Sequence, residues 1–117
     1  MTARSHQLIT ALPPELLSQA DLVGTGEPLW LPAAAAEIVR WADGEEWAVE
    51  AGEVYRARGQ MQTSFVSDWE TSRDDGESWP AYVRRAAMIA LAEMDQAEKR
   101  DRTRALRFFF VVLPSEC

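Results

Sequence analysis

The sequence predicts a single α+β domain, residues 1–117, in which an antiparallel sheet of about four strands packs against one long C-terminal helix and one shorter N-terminal helix. Three observations lead to this prediction. Apolar residues recur every three or four positions after residue 78, which indicates a helix. They alternate with polar residues around residues 47–57, which indicates half-buried strands. A chain of 117 residues fits one hydrophobic core.

Prolines, alanines and glycines mark the elements of the N-terminal third. Two prolines precede a short helical segment at residues 15–20, since proline suits the first turn of a helix. The shorter main helix is predicted at residues 33–43, with Pro32 in its first turn, four alanines as strong helix formers and Gly44 as its stop. The glycine-rich residues 24–28 are predicted as a loop.

The middle of the chain changes to the period of a strand. Trp47 and Val49 alternate with Glu46 and Glu50. Gly52 interrupts the pattern, and residues 53–57 resume it with β-favouring side chains. A turn at residues 58–60 would return the chain as a strand over residues 61–66. These segments predict a compact antiparallel meander.

The C-terminal half predicts the long helix and a buried strand. Ser78 is a suitable N-cap for a helix from Trp79 to Arg100, and basic residues in the last turn complement the helix dipole. The segment from Leu106 to Leu113 is almost continuously apolar, which is typical of a strand buried on both faces. We expect this strand at the centre of the sheet and beside the long helix.

Charge and composition exclude several classes of function. The net charge of -7 repels phosphate, so the sequence predicts no nucleic-acid partner. His6 and Cys117 are the only histidine and cysteine, too few for a zinc site or a nucleophile with its base, and we expect no metal and no cofactor. A polar N-terminus and the lack of a long apolar run predict a cytoplasmic protein with no membrane partner.

Two weak motifs are rejected and one class of chemistry stays open. Gly24-Thr25-Gly26 lacks the Gly-Lys-[Ser/Thr] ending of a phosphate-binding loop. The acidic residues between positions 68 and 77 lack the spacing of an EF-hand calcium loop. Paired carboxylates could still serve acid–base catalysis, because acidic residues are too common in this chain for their pairing to be informative.

Residues 68–77 are predicted as a polar loop and are the strongest candidate for a binding surface. The segment carries five carboxylates against Arg73 and is flanked by Trp69 and Trp79. Aromatic rings supply contact area, and charges steer a basic partner. The competing interpretation is that both tryptophans are core residues and the carboxylates only solvate a loop. The predicted partner-binding residues are Asp68, Trp69, Glu70, Asp74, Asp75 and Glu77.

Four motifs carry a family resemblance, and they occur in this order: Gly52-Glu53-Val54-Tyr55, Asp68-Trp69, Glu77-Ser78-Trp79-Pro80-Ala81-Tyr82-Val83, and the aromatic strand at Phe108-Phe109-Phe110. The chain resembles the immunity protein forty family of bacterial polymorphic toxin systems, over most of its length. Ala51, Glu53 and Glu70 depart from the common pattern, which bears on the toxin recognised. The resemblance implies a non-enzymatic inhibitor that binds a cognate toxin domain inside the producing cell, and a toxin with a basic surface would suit the acidic chain.

Three other functions share these sequence features. A regulatory protein-interaction module would have the same composition and would differ in its neighbouring genes. A small-molecule-binding domain or a carboxylate-dependent enzyme would have a pocket lined by Trp47, Trp69 and Trp79 with converging carboxylates. Self-association through an exposed edge strand or an apolar patch is the third alternative.

Overall fold

The computed structural model describes residues 12–18, 20–22, 28–58, 62–101 and 106–114. Among these residues, no helix has both the length and the apolar content needed to cross a membrane. The described ranges form three helices and five strands, which follow one another along the chain as α1 (Pro14–Leu17), β1 (Ala20–Leu22), β2 (Pro28–Trp30), α2 (Pro32–Gly44), β3 (Ala48–Arg58), β4 (Gln62–Glu70), α3 (Trp79–Arg100) and β5 (Leu106–Leu113).

All five strands belong to one antiparallel sheet in the order β1-β2-β5-β3-β4. β5 lies at the centre, and its Phe108, Phe109 and Phe110 are all buried, as the apolar run predicts. β1 and β2 have only three residues each and carry no strand signal that the sequence reveals. The predicted α+β class, the antiparallel sheet and the two main helices are confirmed.

Helices α2 and α3 pack on one face of the sheet, which we name the inner face. α3 lies mainly over β3, whereas α2 contacts both β3 and β5. The long helix is therefore centred one strand away from the position that the sequence predicts for it. The largest buried side chains between these layers include Trp30, Ile38, Val54, Phe108 and Phe110.

β3 begins at Ala48, one residue after the predicted start, and includes Arg58, which was predicted in the turn. Two other differences from the predicted strands are larger. Gly52 does not interrupt its strand, because β3 continues through it and pairs Gly52 with Trp69 on one side and with Phe110 on the other. β4 continues to Glu70, so the predicted polar loop at residues 68–77 begins with strand residues. Both corrections have the same origin: pairing across the sheet outweighs the local preference of a glycine and of polar side chains.

The helix boundaries agree more closely with the prediction. α3 has the predicted limits, and α2 extends the predicted helix by one residue at each end. α1 is shorter than the predicted segment 15–20. Pro28, placed in a loop by the sequence, begins β2. Several predicted features lie outside the described residues: the turn residues 59–60, the loop residues 24–27, His6 and Cys117.

Strand register assigns side chains to the two faces of the sheet, since residues directly opposite each other share a face. Gly52, Trp69 and Phe110 are in register on the inner face. The side chains one position further along each strand project to the other side, which we name the outer face. That row consists of Glu53, Asp68 and Phe109.

Candidate functional site

Three carboxylates project from neighbouring positions on the outer face of the sheet. β4 presents Asp68 and Glu70 on this side, because Trp69 between them turns to the inner face. Glu53 on β3 lies directly opposite Asp68. Asp68 and Glu70 are exposed, and Glu53 is half-buried. We name Glu53, Asp68 and Glu70 the acidic face.

A cavity of about 620 Å3 opens among these carboxylates. Part of its lining is apolar, since Phe109 and Val111 of the central strand contribute to it. Phe109 is only 5% exposed and packs with Leu29, so this part of the surface is anchored to a small hydrophobic cluster. The complete lining consists of Ala51, Gly52, Glu53, Asp68, Trp69, Glu70, Phe109 and Val111.

The carboxylates of the acidic face have no bonded partner within the described part of the chain. The side chains of Glu53, Asp68 and Glu70 form no hydrogen bond and no ion pair there. Arg107 of β5 lies on the same face, opposite Tyr55, and donates from Nη1 to the backbone oxygen of Leu106 at 3.0 Å. Like charges placed directly across an antiparallel pair destabilise the sheet. The pairing of Glu53 with Asp68 is therefore an arrangement that folding alone does not favour.

Trp69 is a core residue, whereas Trp79 is half-buried. Its side chain is only 8% exposed, and its ring meets Phe110 edge-on with 6.3 Å between centroids. The ring also covers Gly52, where a Cβ atom would lie 2.2 Å from the Cη2 atom of Trp69. Within the described residues the Trp69 Nε1–H group has no hydrogen-bond acceptor. Trp69 therefore holds β4 against β3, and its neighbours Asp68 and Glu70 provide the exposed groups.

Glu77 is held by an arginine of the long helix. Arg85 donates from Nε and Nη2 to the two carboxylate oxygens of Glu77, at 2.9 and 2.8 Å. The backbone N–H of Asp74 donates to the same carboxylate at 3.0 Å. The hydrogen bonds from Arg85, followed by that from Asp74, lower the pKa of Glu77 to about 2. Glu77 thus fastens the loop to α3, and its side chain is only 13% exposed.

Asp74 and Asp75 lie in the loop that follows β4, away from the row of outer-face carboxylates. Both are exposed. Asp74 lies 3.7 Å from Arg85 with 73% of its side chain exposed, which places it beside the start of α3. Gly76 turns the chain with a φ of 78°, a conformation that favours glycine. The predicted set is therefore divided into a sheet group (Asp68 and Glu70), a loop group (Asp74 and Asp75) and two structural residues (Trp69 and Glu77).

The Glu-Ser-Trp segment at the start of α3 has a structural role. The Ser78 side chain caps the helix by accepting a hydrogen bond from the backbone N–H of Ala81 at 3.2 Å. Trp79 donates from Nε1 to the backbone oxygen of Glu46 at 2.9 Å. These contacts fix the first turn of α3 against the chain that enters β3.

A second set of hydrogen bonds connects the same turn to the sheet. The hydroxyl groups of Thr71 and Tyr82 lie 2.9 Å apart, and Thr71 donates to the backbone oxygen of Glu50 at 3.0 Å. Tyr82 is 2% exposed. Trp79 and Tyr82 thus join α3 to the residues that flank β3 and β4, and Ser78 caps the helix. The polar groups of all three residues are engaged in these contacts.

Sequence reasoning missed Glu53 as a member of the site. Glu53 stands out only as one polar residue in an alternating strand, and its proximity to Asp68 depends on the register between β3 and β4. No local pattern in the sequence signals this proximity, because it depends on which residues the two strands place opposite each other.

The described residues also bear on metal binding and on the tryptophan-lined pocket that the sequence raised. No group of three or more His, Cys, Asp or Glu side chains within them is arranged to hold a metal ion. Trp47, Trp69 and Trp79 pack against three different rings, those of Trp41, Phe110 and Tyr82. The three tryptophans therefore do not share one ring-lined pocket.

Comparison with known proteins returns no match for this chain among family models, curated proteins or solved structures.

Proposed function

We propose that this chain is a non-enzymatic immunity protein that binds and neutralises a cognate bacterial toxin domain through the acidic face. The observation that carries the proposal is the opposed pair Glu53 and Asp68, with Glu70 beside it and no hydrogen bond or ion pair from these three side chains among the described residues. A basic side chain from a partner would relieve the repulsion within this pair. The order of the sequence motifs supports the toxin as the partner.

The shape of the acidic face suits a protruding basic side chain. Phe109 and Val111 provide apolar lining within the cavity, and the three carboxylates surround it. Lysine and arginine carry an apolar stem below a charged head, so their stems can contact the apolar lining while their heads reach the carboxylates. The net charge of -7 adds long-range attraction for a basic protein and repulsion of nucleic acid.

The first experiment is co-expression with the protein encoded directly upstream of this chain's gene. We expect rescue of growth from the toxicity of that protein and co-purification of the two chains. A chain that neither restores growth nor co-purifies with the upstream product would rule out the immunity function.

The second experiment locates the surface by matched charge reversals. Asp68→Lys/Glu70→Lys and Asp74→Lys/Asp75→Lys each change the net charge by about +4, so long-range attraction changes equally in the two variants. We expect the first variant to weaken toxin binding by about a hundredfold, because it replaces close attraction with repulsion, and the second to weaken it less than about tenfold. Binding is measured by titration calorimetry at low and high salt.

The two variants separate the acidic face from the loop as the binding surface. Loss of binding only in the Asp74/Asp75 variant would move the surface to the loop and refute the assignment to the sheet. Equal small losses in both variants would show that charge acts at long range only.

A further inference from the structure

The open edge of β4 adjoins the acidic face. β4 is an end strand of the sheet, and β3 is its only neighbour among the described strands. The register between them shifts near Phe65, so that Val66 has no opposite residue. Beyond this bulge, residues 67–70 pair without interruption with residues 51–54 of β3. The edge is therefore regular along the stretch that carries Asp68 and Glu70.

The backbone groups of Asp68 and Glu70 point to this open edge. Thr71, the residue that follows β4, donates its backbone N–H to the backbone oxygen of Glu50 at 2.8 Å, so its N–H faces β3. Residues of an antiparallel strand turn their N–H and C=O groups alternately toward one side and then the other. Trp69 therefore faces β3 as Thr71 does, whereas Asp68 and Glu70 turn their backbone groups outward. The residues that offer hydrogen bonds at the edge are thus the ones that carry exposed carboxylates.

The charge along this stretch of the edge is negative. Glu53 lies opposite Asp68 on the same face and adds to the charge of the two edge carboxylates. The next basic residue along the chain, Arg73, donates from Nε to the backbone oxygen of Glu77 at 2.7 Å. Arg107 belongs to β5, two strands away from the edge. A basic side chain on an added strand would therefore meet attraction at the edge.

We propose that the β4 edge binds an extended segment of the partner as an added strand, with basic side chains at alternate positions opposite Asp68 and Glu70. The inference rests on the proposed function for the identity of the partner, and it adds the conformation of the segment that is bound. Residues directly opposite each other share a face of the sheet, so alternate side chains of the segment would reach the acidic face. The outward backbone groups would supply affinity, and the carboxylates would supply specificity.

A second copy of the chain suits this edge less well than a basic segment does. A two-fold axis through Trp69 would place Asp68 of one copy opposite Glu70 of the other, and the axis repeats this contact. Like charges directly opposite each other destabilise a strand pair. Charged side chains on an end strand are a common means of preventing such pairing between copies. The same carboxylates that attract a basic strand therefore keep two copies apart.

Amide hydrogen exchange tests the added strand residue by residue. In the free chain the amides of Asp68 and Glu70 should exchange quickly and those of Trp69 and Thr71 slowly, because only the latter pair faces β3. The probe is a short synthetic peptide in which lysine and threonine alternate. At a peptide concentration of about ten times its dissociation constant, exchange at Asp68 and Glu70 should slow by about tenfold. Binding that leaves these two amides unchanged, or no binding of this peptide, overturns the inference.

A second peptide and two variants control for charge alone. The control peptide has the same composition with its lysines in one block, so that only part of them reach the outer face of an added strand; it should bind about fivefold more weakly or worse. Asp68→Asn/Glu70→Gln should remove this preference, whereas Asp74→Asn/Asp75→Asn should retain it, with the folding of both variants checked by circular dichroism. Equal affinity of the unmodified chain for the two peptides overturns the inference.

The inference and the proposed function fail in different experiments. A chain that binds the alternating peptide along β4 but does not bind the protein encoded upstream would lose the immunity function and keep the edge site. In a complex with that upstream protein, unchanged exchange at Asp68 and Glu70 would show that the toxin contacts the carboxylates without adding a strand. That result would overturn the inference and leave the immunity function in place.

Discussion

The contact between Gly52 and Trp69 allows a stability prediction with a defined geometry. In Gly52→Ala the new Cβ atom would lie 2.2 Å from Cη2, 2.3 Å from Cζ2 and 2.7 Å from Cζ3 of the Trp69 ring. Non-bonded carbon atoms are in favourable contact at about 3.5–4.0 Å. The ring would therefore have to retreat by about 1.3 Å or more. The clash involves three atoms of a rigid aromatic ring, so a rotation at the end of a flexible chain cannot relieve it.

The expected cost follows from the lack of space around the ring. Trp69 is 8% exposed and meets Phe110, which is itself 1% exposed. Moving the ring displaces buried neighbours or exposes it at the sheet edge. Overpacking of a well-filled core costs about 1–3 kcal/mol, and occasionally more. We expect Gly52→Ala to lower the free energy of unfolding by at least about 2 kcal/mol.

Gly44→Ala is the matched control for the loss of glycine flexibility. Gly44 ends α2, and no atom lies within 4 Å of the position that a Cβ atom would take there. Alanine also favours a helix over glycine. We expect this variant to be stabilised by about 0.4–1 kcal/mol, through the lower entropy of the unfolded chain. Glycine-to-alanine substitution is thus expected to lower the free energy of unfolding at position 52 and to raise it at position 44.

Urea denaturation followed by tryptophan fluorescence measures both effects. The dependence of the free energy of unfolding on urea concentration is compared between variants to check that they unfold in the same way. A double-mutant cycle with Trp69→Leu then attributes the cost to the ring. In the Trp69→Leu background, Gly52→Ala should cost less than about 1 kcal/mol, since the clashing atoms are gone. A cost below about 0.5 kcal/mol in the unmodified background, or an equal cost in both backgrounds, would refute the reasoning.

Two further predictions concern the start of α3. Because hydrogen bonds from Arg85 lower the pKa of Glu77 to about 2, the carboxylate stabilises the fold above its unfolded pKa of about 4.3 and loses this contribution as the pH falls through 2. Glu77→Gln should therefore be less stable than the unmodified chain at neutral pH. Denaturant melts at falling pH should show the difference in free energy of unfolding between the two chains closing between about pH 5 and pH 2. A difference that does not depend on pH would contradict this prediction. Ser78→Ala should lose about 1 kcal/mol by removing the helix cap, whereas Ser78→Asp should retain most of the stability in the same melts. Equal losses in the two Ser78 variants would argue against the cap.

Local signals in the sequence were sufficient for the helices. The N-cap Ser78 and the apolar period define α3 without any knowledge of its neighbours, and its limits are as predicted. Pro32 and Gly44 define α2 in the same way, to within one residue. The buried strand β5 could also be predicted, because a strand covered on both faces has an apolar side chain at almost every position.

Properties that depend on partners across the sheet could not be predicted. Gly52 interrupts a local β pattern, but Trp69 covers it from the next strand and β3 continues. The same packing buries one of the two tryptophans that the sequence placed at a binding loop. β1 and β2 are too short for a periodic signal, since three residues cannot establish an alternation.

Several residues of the sequence motifs have structural roles in this fold. Glu77, Ser78 and Tyr82 are occupied in fastening α3 to its loop and to the sheet. Gly52 and Trp69 form a packing contact that tolerates no larger residue at position 52. These residues explain the fold, and any chain with the same fold could keep them whatever it binds.

The choice of binding partner would then depend on residues that have no structural role in the fold. Glu53 and Glu70 stand beside Asp68 on the acidic face, and their side chains form no hydrogen bond or ion pair within the described chain. Each adjoins a residue of the packing contact, so the contact between Gly52 and Trp69 positions the carboxylates without taking part in binding. Changing the charges at positions 53 and 70 should therefore alter the choice of partner without lowering stability, and neutralising Glu53 should raise stability by removing its repulsion from Asp68. Changing Gly52 or Trp69 should lower stability first.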